Sequence, residues 1–366
     1  MTRTENASSA AAGGSHLSEP DAPAFATAAE WKHAVARSVR TARLEPPTFT
    51  DVLAARLRIR PHLQPTPLYR YEGLSELVGA EIWVKHENHQ PTGAFKVRGG
   101  VNLVSRLSDH ERERGVVTAS TGNHGQSIAY AARLFGVRAI VVVPERANPV
   151  KVAFIRAFGA EIVEHGDDFD DAREHCEALG AEHGYRYVHS GNEPDLIAGV
   201  ATEALELLEE RPDVDVVVVP IGGGSGAAGA CIAAKAVNAG VEVIGVQSDA
   251  ACAAYDSWRA GALVDREMRT FAEGLATRTA FELPQRILRE QLDDFVVVSD
   301  DEIRSACLHM LERTRNLIEP AGASPLAAAL KLRDRLAGRR VALVASGGNV
   351  SPAQLRELLR ASPAEA

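Results

Sequence analysis

The chain has 366 residues, 45% of them hydrophobic, and a formal net charge of -9. That length and composition support one large α/β unit or two lobes around a substantial core, and they argue against disorder. The acidic balance excludes a general nucleic-acid binder, which needs a basic face for phosphates, and no apolar run approaches the length of a membrane span.

Residues 1–28 are rich in Ala, Ser and Gly without periodicity and lack the unbroken apolar core of a signal peptide. They read as a mobile tail of a cytoplasmic protein. A helical pattern from Trp31 to Arg60 is followed by an extended entry at 63–68. A short strand at Ala80–Lys85 leads to Pro91-Thr92-Gly93-Ala94-Phe95-Lys96, where a helix over Phe95–Leu107 opens. Strands at Gly115–Ala119, Arg138–Val143 and Glu161–Glu164 alternate with helices at Gly125–Phe135 and Val150–Phe158, which end at Gly136 and Gly159. The second half continues with a helix at Asp195–Glu210 and an apolar run at Val214–Pro220, as expected for a strand buried on both faces. Beyond it lie a helix at Ala227–Asn238, strands at Val241–Val246 and Phe295–Val298, and a helix at Asp300–Leu317. A strand at Val341–Ala345 and a helix at Ser351–Leu359 close the chain. Alternation of this kind predicts parallel sheets joined by right-handed crossovers. The cysteines Cys176, Cys231, Cys252 and Cys307 fit neither a C-x-x-C pair nor a zinc spacing and read as reduced thiols.

Two segments are built to hold anions. In Ile221-Gly222-Gly223-Gly224-Ser225-Gly226, after a buried strand, the absence of Cβ atoms lets several N–H groups converge on one point. The following helix terminus adds attraction for a dianion, and phosphate is the natural guest. Ser120-Thr121-Gly122-Asn123-His124-Gly125 joins another strand to a helix and offers amides and hydroxyls to a carboxylate. Lys96 opens its helix after a Pro-Thr-Gly turn, which aims it at the carboxyl edge of the sheet, where open α/β folds bind ligands. A lysine able to hold an aldehyde, a phosphate cradle and a carboxylate loop together point to pyridoxal-phosphate chemistry. A rival reading takes Gly224-Ser225-Gly226-Ala227-Ala228-Gly229 as G-x-G-x-x-G with Asp249 as the ribose acid of a nicotinamide dehydrogenase. It leaves Lys96 without a task.

The motifs P-T-G-A-F-K-V-R-G-G, S-T-G-N-H-G-Q, G-G-G-S-G and S-G-G-N, in this order, resemble those of the fold-type II (tryptophan synthase β-like) pyridoxal-phosphate enzymes. Within them the likeness is to the serine/threonine dehydratase family, which also contains serine racemase. The resemblance implies two open, twisted, mostly parallel sheets flanked by helices, with the cofactor in a cleft between a large and a small domain. It implies a tail and N-terminal helix at 1–44, a large domain at 45–114 plus 193–366, and a small domain at 115–192. It also implies a homodimer acting on a small amino-acid substrate.

Carried over, Lys96 with its neighbour Phe95 would hold the cofactor aldehyde as a Schiff base, and Asn123 would bond its ring oxygen. Gly222, Gly223, Gly224, Ser225 and Gly226 would hold its phosphate. Ser346 would face the pyridine nitrogen, and Glu319 would lie near the ring. Ser120, Thr121, Gly122, Asn123 and His124 would line the carboxylate loop, and Gly274, in Glu273-Gly274-Leu275-Ala276, would flank the substrate side chain. The implied reaction is loss of the β-hydroxyl and amine of a β-hydroxy-α-amino acid of the threonine or serine type, with Lys96, Thr121 and Ser346 as catalytic groups. Thr121 stands where racemases of the family carry serine, which argues against the alternative of an amino-acid racemase. Gln247 and Ala253 stand at positions that are acidic in metal-stimulated members, so no metal is expected. Arg278 reads as a surface arginine, with pairing to an acidic substrate group as the alternative, and His86 and His89 read as loop residues.

Overall fold

The computed structural model describes residues 44–147 and 149–360; the tail and the helical pattern expected before residue 44 lie outside the described residues. Ten strands form two sheets. The larger takes β1 (Leu68–Arg70), β2 (Glu81–His86), β7 (Val216–Pro220), β8 (Glu242–Ser248), β9 (Asp294–Val298) and β10 (Arg340–Ala345), in the order β1-β2-β10-β7-β8-β9. All its pairings are parallel except that of β1 with β2. The smaller takes β3 (Val116–Ala119), β4 (Ala139–Val143), β5 (Glu161–Glu164) and β6 (Arg186–Tyr187), all parallel, in the order β5-β4-β3-β6. This is the mixed α/β architecture with two mostly parallel sheets that the alternating pattern predicts.

Valines dominate the central strand because helices cover both faces of the larger sheet. Val217 and Val219 join Ala342 and Val344 in one core cluster, with side chains from the helices Thr202–Glu210, Ser225–Val237 and Glu282–Gln291. Val216 and Val218 join Val341 and Leu343 in the other, beneath the helices Asp300–Thr314 and Pro320–Lys331.

Several elements escape the periodicity. The helices Glu72–Val78, Asp109–Arg114, Phe169–His183, Ala253–Ala260 and Glu282–Gln291 are not among those expected, nor are the short strands β1 and β6. The helix Pro320–Lys331 is the instructive case, since Pro-Ala-Gly-Ala-Ser-Pro reads as a loop. Its first proline occupies the opening turn, where no N–H is needed. Pro325 lies inside the helix and cannot donate to the carbonyl of Ala321. The hydroxyl of Ser324 donates to that carbonyl instead, at 2.8 Å. The single helix expected over Asp195–Glu210 is interrupted at Ala201, between Pro194–Val200 and Thr202–Glu210.

A buried ion network lies beneath the cleft. Arg98 is fully buried and donates to both oxygens of Glu87, at 2.8 and 2.8 Å, and to both oxygens of Glu206, at 2.7 and 2.7 Å. Lys85 adds bonds to Glu206 at 3.0 Å and to the Thr66 carbonyl at 2.8 Å. Arg98 stands two residues after Lys96, so this network fixes the first turn of the helix Lys96–Ser105 against the turn Glu87–His89 and the helix Thr202–Glu210. Removing one member strands the others as uncompensated charge. Arg98→Met is expected to lower stability by about 3–5 kcal/mol, read as a fall in the urea midpoint; an unchanged midpoint would contradict this account of the network.

Candidate active site

Three motif segments follow three neighbouring parallel strands, so their side chains meet at one edge of the larger sheet. Lys96 follows β2, the Ser346 turn follows β10, and the glycine loop follows β7, with β10 between β2 and β7. The segment 93–95 and the Ser346 turn are stitched together directly. Phe95 N–H donates to the Ser346 carbonyl at 3.0 Å, Gly348 N–H donates to the Gly93 carbonyl at 2.9 Å, and Ala94 bridges Gly347.

The Lys96 ammonium donates to the Ser225 hydroxyl at 2.6 Å, and its nitrogen lies 5.1 Å from the Phe95 ring centroid. Burial pushes the amine down to about 8, while the carboxyl of Glu203 acts in the opposite direction. Glu203 is itself buried, with one oxygen lacking a partner among the described residues, and burial holds it well above the usual carboxylate range.

Around Ser225 the backbone is shaped for an anion. Among the described residues, none of the amides from Gly222 to Ala227 donates to a protein acceptor. Gly224 takes a φ of 93°, in the left-handed region that favours glycine. A methyl group on Gly222 would collide with the carbonyl oxygen of Gly274, so the loop needs glycine there to lie against the segment 273–275. Unpaired amides at the head of the helix Ser225–Val237, beside a half-buried lysine, are the donor set a phosphate dianion requires. An aldehyde that carries a phosphate therefore fits these residues.

The second anion segment follows β3 of the smaller sheet. Among the described residues, the amides of Thr121, Asn123, His124 and Gly125 have no protein acceptor, whereas Gly122 N–H donates to the Ser120 hydroxyl at 3.2 Å. Space lies open beside Gly122. Asn123 donates to Glu319 at 2.8 Å and accepts from Asn349 at 2.8 Å, which leaves its second N–H without a protein partner among the described residues. Burial raises Glu319 to about 7, against the bond from Asn123 and the charge of Lys151. Among the described residues, the hydroxyls of Thr121 and Ser346 bond to no protein group, and Ser346 is buried. The structure thus joins Phe95 to Ser346, Lys96 to Ser225, Gly222 to Gly274, and Asn123 to Glu319, which lies against Gly347 beside Ser346.

His124 is placed differently from a residue that lines the loop with its ring. The hydroxyl of Thr118 donates to the Val188 carbonyl at 2.8 Å, so it accepts from His124 Nε2–H at 2.9 Å. The ring is thereby held beneath the loop against β3, and burial pushes it down to about 3, so it is neutral. What His124 offers the loop is its backbone amide. Arg278 reaches Asp170 at 3.6 Å and Asp168 at 3.9 Å and is 59% exposed. Asp249, the ribose acid of the dinucleotide reading, is exposed at the end of β8.

Two residues absent from the sequence reading stand here. His189 accepts from the amides of Gly191 and Asn192 at 3.0 Å each through Nδ1, so its Nε2 carries the hydrogen. Burial, Arg173 and Lys96 together push it to about 4. Its ring meets Phe281 edge-on at 4.8 Å, and Phe281 packs against Gly223. A lone histidine after β6 and a phenylalanine ahead of an unexpected helix carry no local signal; only their convergence on the glycine loop reveals them.

A family described as "Pyridoxal-phosphate dependent enzyme" matches residues 59–347. The chain is 40% identical over 306 residues to the L-threo-3-hydroxyaspartate ammonia-lyase of Saccharomyces cerevisiae, covering 83% of this chain and 94% of that protein. It is also 40% identical over 304 residues to the L-threonine ammonia-lyase of Thermotoga maritima, covering 83% of this chain and 76% of that one. Among solved structures, the serine racemase from Dictyostelium discoideum aligns with a TM-score of 0.79 at 35% identity, over 83% of this chain and 99% of that chain. These similarities remove the dinucleotide reading of the glycine loop.

The depressed Lys96 value has a measurable consequence. Between about 8 and the ordinary lysine value the unfolded chain binds more protons than the folded one, so stability rises with pH through that window. In cofactor-free protein, Lys96→Met is expected to be the more stable form at pH 7, with an advantage that shrinks as pH rises through the window. Paired thermal unfolding curves check this, and a difference that does not change with pH would refute it.

Proposed function

We propose that this chain, which belongs to the family of pyridoxal-phosphate-dependent enzymes, is an ammonia-lyase that removes the β-hydroxyl and amine of a β-hydroxy-α-amino acid of the threonine or serine type. The products are a 2-oxo acid and ammonia. The observation that carries the reading is the half-buried Lys96, whose amine lies 2.6 Å from Ser225 at the mouth of a run of unpaired backbone amides. When bound, pyridoxal phosphate supplies an aldehyde for the amine and an electron sink for the α-carbon.

The chain's own residues do the rest. Lys96 would be the covalent anchor of the cofactor, Gly222, Gly223, Gly224, Ser225 and Gly226 would hold the phosphate, and the free N–H of Asn123 would serve the ring oxygen. Ser346, whose hydroxyl is neutral, would face the ring nitrogen. The substrate carboxylate lies against the amides of Thr121, Asn123 and His124, which orients the α-hydrogen toward Lys96. An amine held near 8 is partly neutral at physiological pH and can take that proton as a general base. Loss of the β-hydroxyl as water leaves an enamine, which tautomerises and hydrolyses to the 2-oxo acid and ammonia. The same reading assigns residues 45–114 and 193–366 to cofactor binding and 115–192 to the substrate loop, in a cytoplasmic homodimer.

The holoenzyme is expected to be yellow, to bleach with borohydride with a mass gain on the Lys96 peptide, and to release ammonia and 2-oxo acid from L-threonine or L-serine. Lys96→Ala is expected to lose both the label and the activity; full activity in that variant would overturn the mechanism. Thr121 keeps a hydroxyl but adds a methyl group. Racemisation of L-serine is therefore expected to be much slower than its elimination, and chiral chromatography of the residual serine measures the ratio.

A further inference from the structure

The lyase reading above uses Lys96 as a base and leaves one buried acid near it without a task. Glu203, on the helix Thr202–Glu210, is 1% exposed, and its Oε2 has no hydrogen-bond partner among the described residues. The segment just before it is wedged between the two helices that hold the lysine. Arg98 donates to the Thr202 hydroxyl at 3.2 Å, and a methyl group on Gly199 would collide with the Arg98 carbonyl and with Gly99. A methyl group on Gly229 would collide with Ala201. The helix Lys96–Ser105 thus meets this segment within its first turn. The helix Ser225–Val237, whose first residue receives the Lys96 amine, meets it one turn in.

The other charges packed around Glu203 are matched without it. Glu206, one turn on, pairs with Lys85 and Arg98, and Glu87 pairs with Arg98, so two acids face two cations. The helix Ser225–Val237 brings Lys235, bonded to Asp293 at 2.6 Å, and the thiol of Cys231, which burial pushes up to about 12. The helix Pro194–Val200 brings Asp195, paired with Arg106 at 2.9 Å. The helix Phe49–Ile59 brings Asp51, bonded to Thr48, Arg56, paired with Glu209, and Arg58, which donates to Asn102 at 3.3 Å. Around Lys96 itself, burial keeps His124 and His189 neutral. Among the described residues, what remains is an acid that no cation pairs with and a lysine that no acid pairs with. The carboxyl of Glu203 does act on that lysine, strengthening its hold on the proton against burial.

An amine that takes a proton in a water-poor cleft becomes an ammonium, and burial opposes that charge. A carboxylate nearby offsets the cost, and the ammonium in turn makes the carboxylate easier to form, so the two groups gain and lose charge together. We propose that Glu203 is a positioning residue for the elimination: its buried carboxyl is the counter-charge to the ammonium that Lys96 becomes on taking the substrate's α-proton. This role rests on the lyase reading, in which Lys96 is the base. The α-proton goes to the lysine nitrogen, the electron pair of the C–H bond stays with the substrate, and Glu203 acts through its charge without exchanging an atom with either.

Competitive acetylation of the cofactor-free protein across a pH series, read on the Lys96 peptide by mass spectrometry, tests this apart from the reaction. The wild-type midpoint is expected at about 8. Glu203→Gln is expected to lower it by about one unit or more, and Glu203→Asp, which keeps a carboxyl, by less. In the holoenzyme, Glu203→Gln is expected to reduce kcat for L-threonine or L-serine by about tenfold, with KM within about twofold of the wild type. The rate difference between α-protio and α-deutero substrate should grow in the same variant. A role in packing alone leaves the labelling midpoint where it is, so an unchanged midpoint in Glu203→Gln would overturn the proposal. So would an unchanged kcat. If Glu203→Gln does not fold, the same labelling on Glu203→Met decides the matter. If the wild type releases no ammonia from either amino acid, the lyase reading fails, while the labelling midpoint still decides whether Glu203 is the counter-charge of Lys96.

Discussion

The site rests on a buried guanidinium. Arg98 bonds to two carboxylates from different parts of the chain, Glu87 after β2 and Glu206 on the helix Thr202–Glu210. Each of those charges would be severely destabilised alone in the interior, so the three hold one another in a single geometry. Because Arg98 lies less than one helical turn beyond Lys96, the position of the lysine follows from that arrangement. The carbonyl of Lys96 is also taken by the Ser127 hydroxyl at 2.6 Å, which ties the same turn to the helix Asn123–Leu134 that opens with the carboxylate loop. The lysine is therefore locked to both anion sites through its own helix.

The surrounding electrostatics follow from burial and from the ends of helices. Burial disfavours the ammonium of Lys96 and the carboxylate of Glu319, moving both toward neutrality in the range where proton transfer is useful. Burial likewise keeps His124 and His189 uncharged, so they act as hydrogen-bonding groups of fixed tautomer. Positive attraction for a phosphate or a carboxylate is left to backbone amides at two helix starts, which bring no mobile side chain and no proton to lose. Lys85 and Arg98 beneath the site, and Lys151 and Arg278 farther out, are each held by an acid.

Much of this was legible in local sequence. Runs such as Val216–Val219 announce a strand covered on both faces, and glycine clusters after strands announce loops with free amides. The unforeseen helices were hidden by chemistry that overrides propensity. Ser324 supplies the hydrogen bond that Pro325 cannot, so a proline- and glycine-bearing stretch stays helical inside the core. The orientation of His124 was not legible either: Thr118 and Val188, from β3 and just beyond β6, hold its ring beneath the loop.

The amino-acid sequence by itself determined the α/β alternation, the two anion-binding loops and the lysine set between them, because each depends on residues within a few positions of one another. Only the tertiary structure decided that Glu87, Arg98 and Glu206 form one buried network, that His189 and Phe281 close on the glycine loop, and that Glu273 pairs with Lys151. These pairings join residues distant in the chain. Their strength comes from low-dielectric burial, and that environment exists only once the sheets and helices have packed.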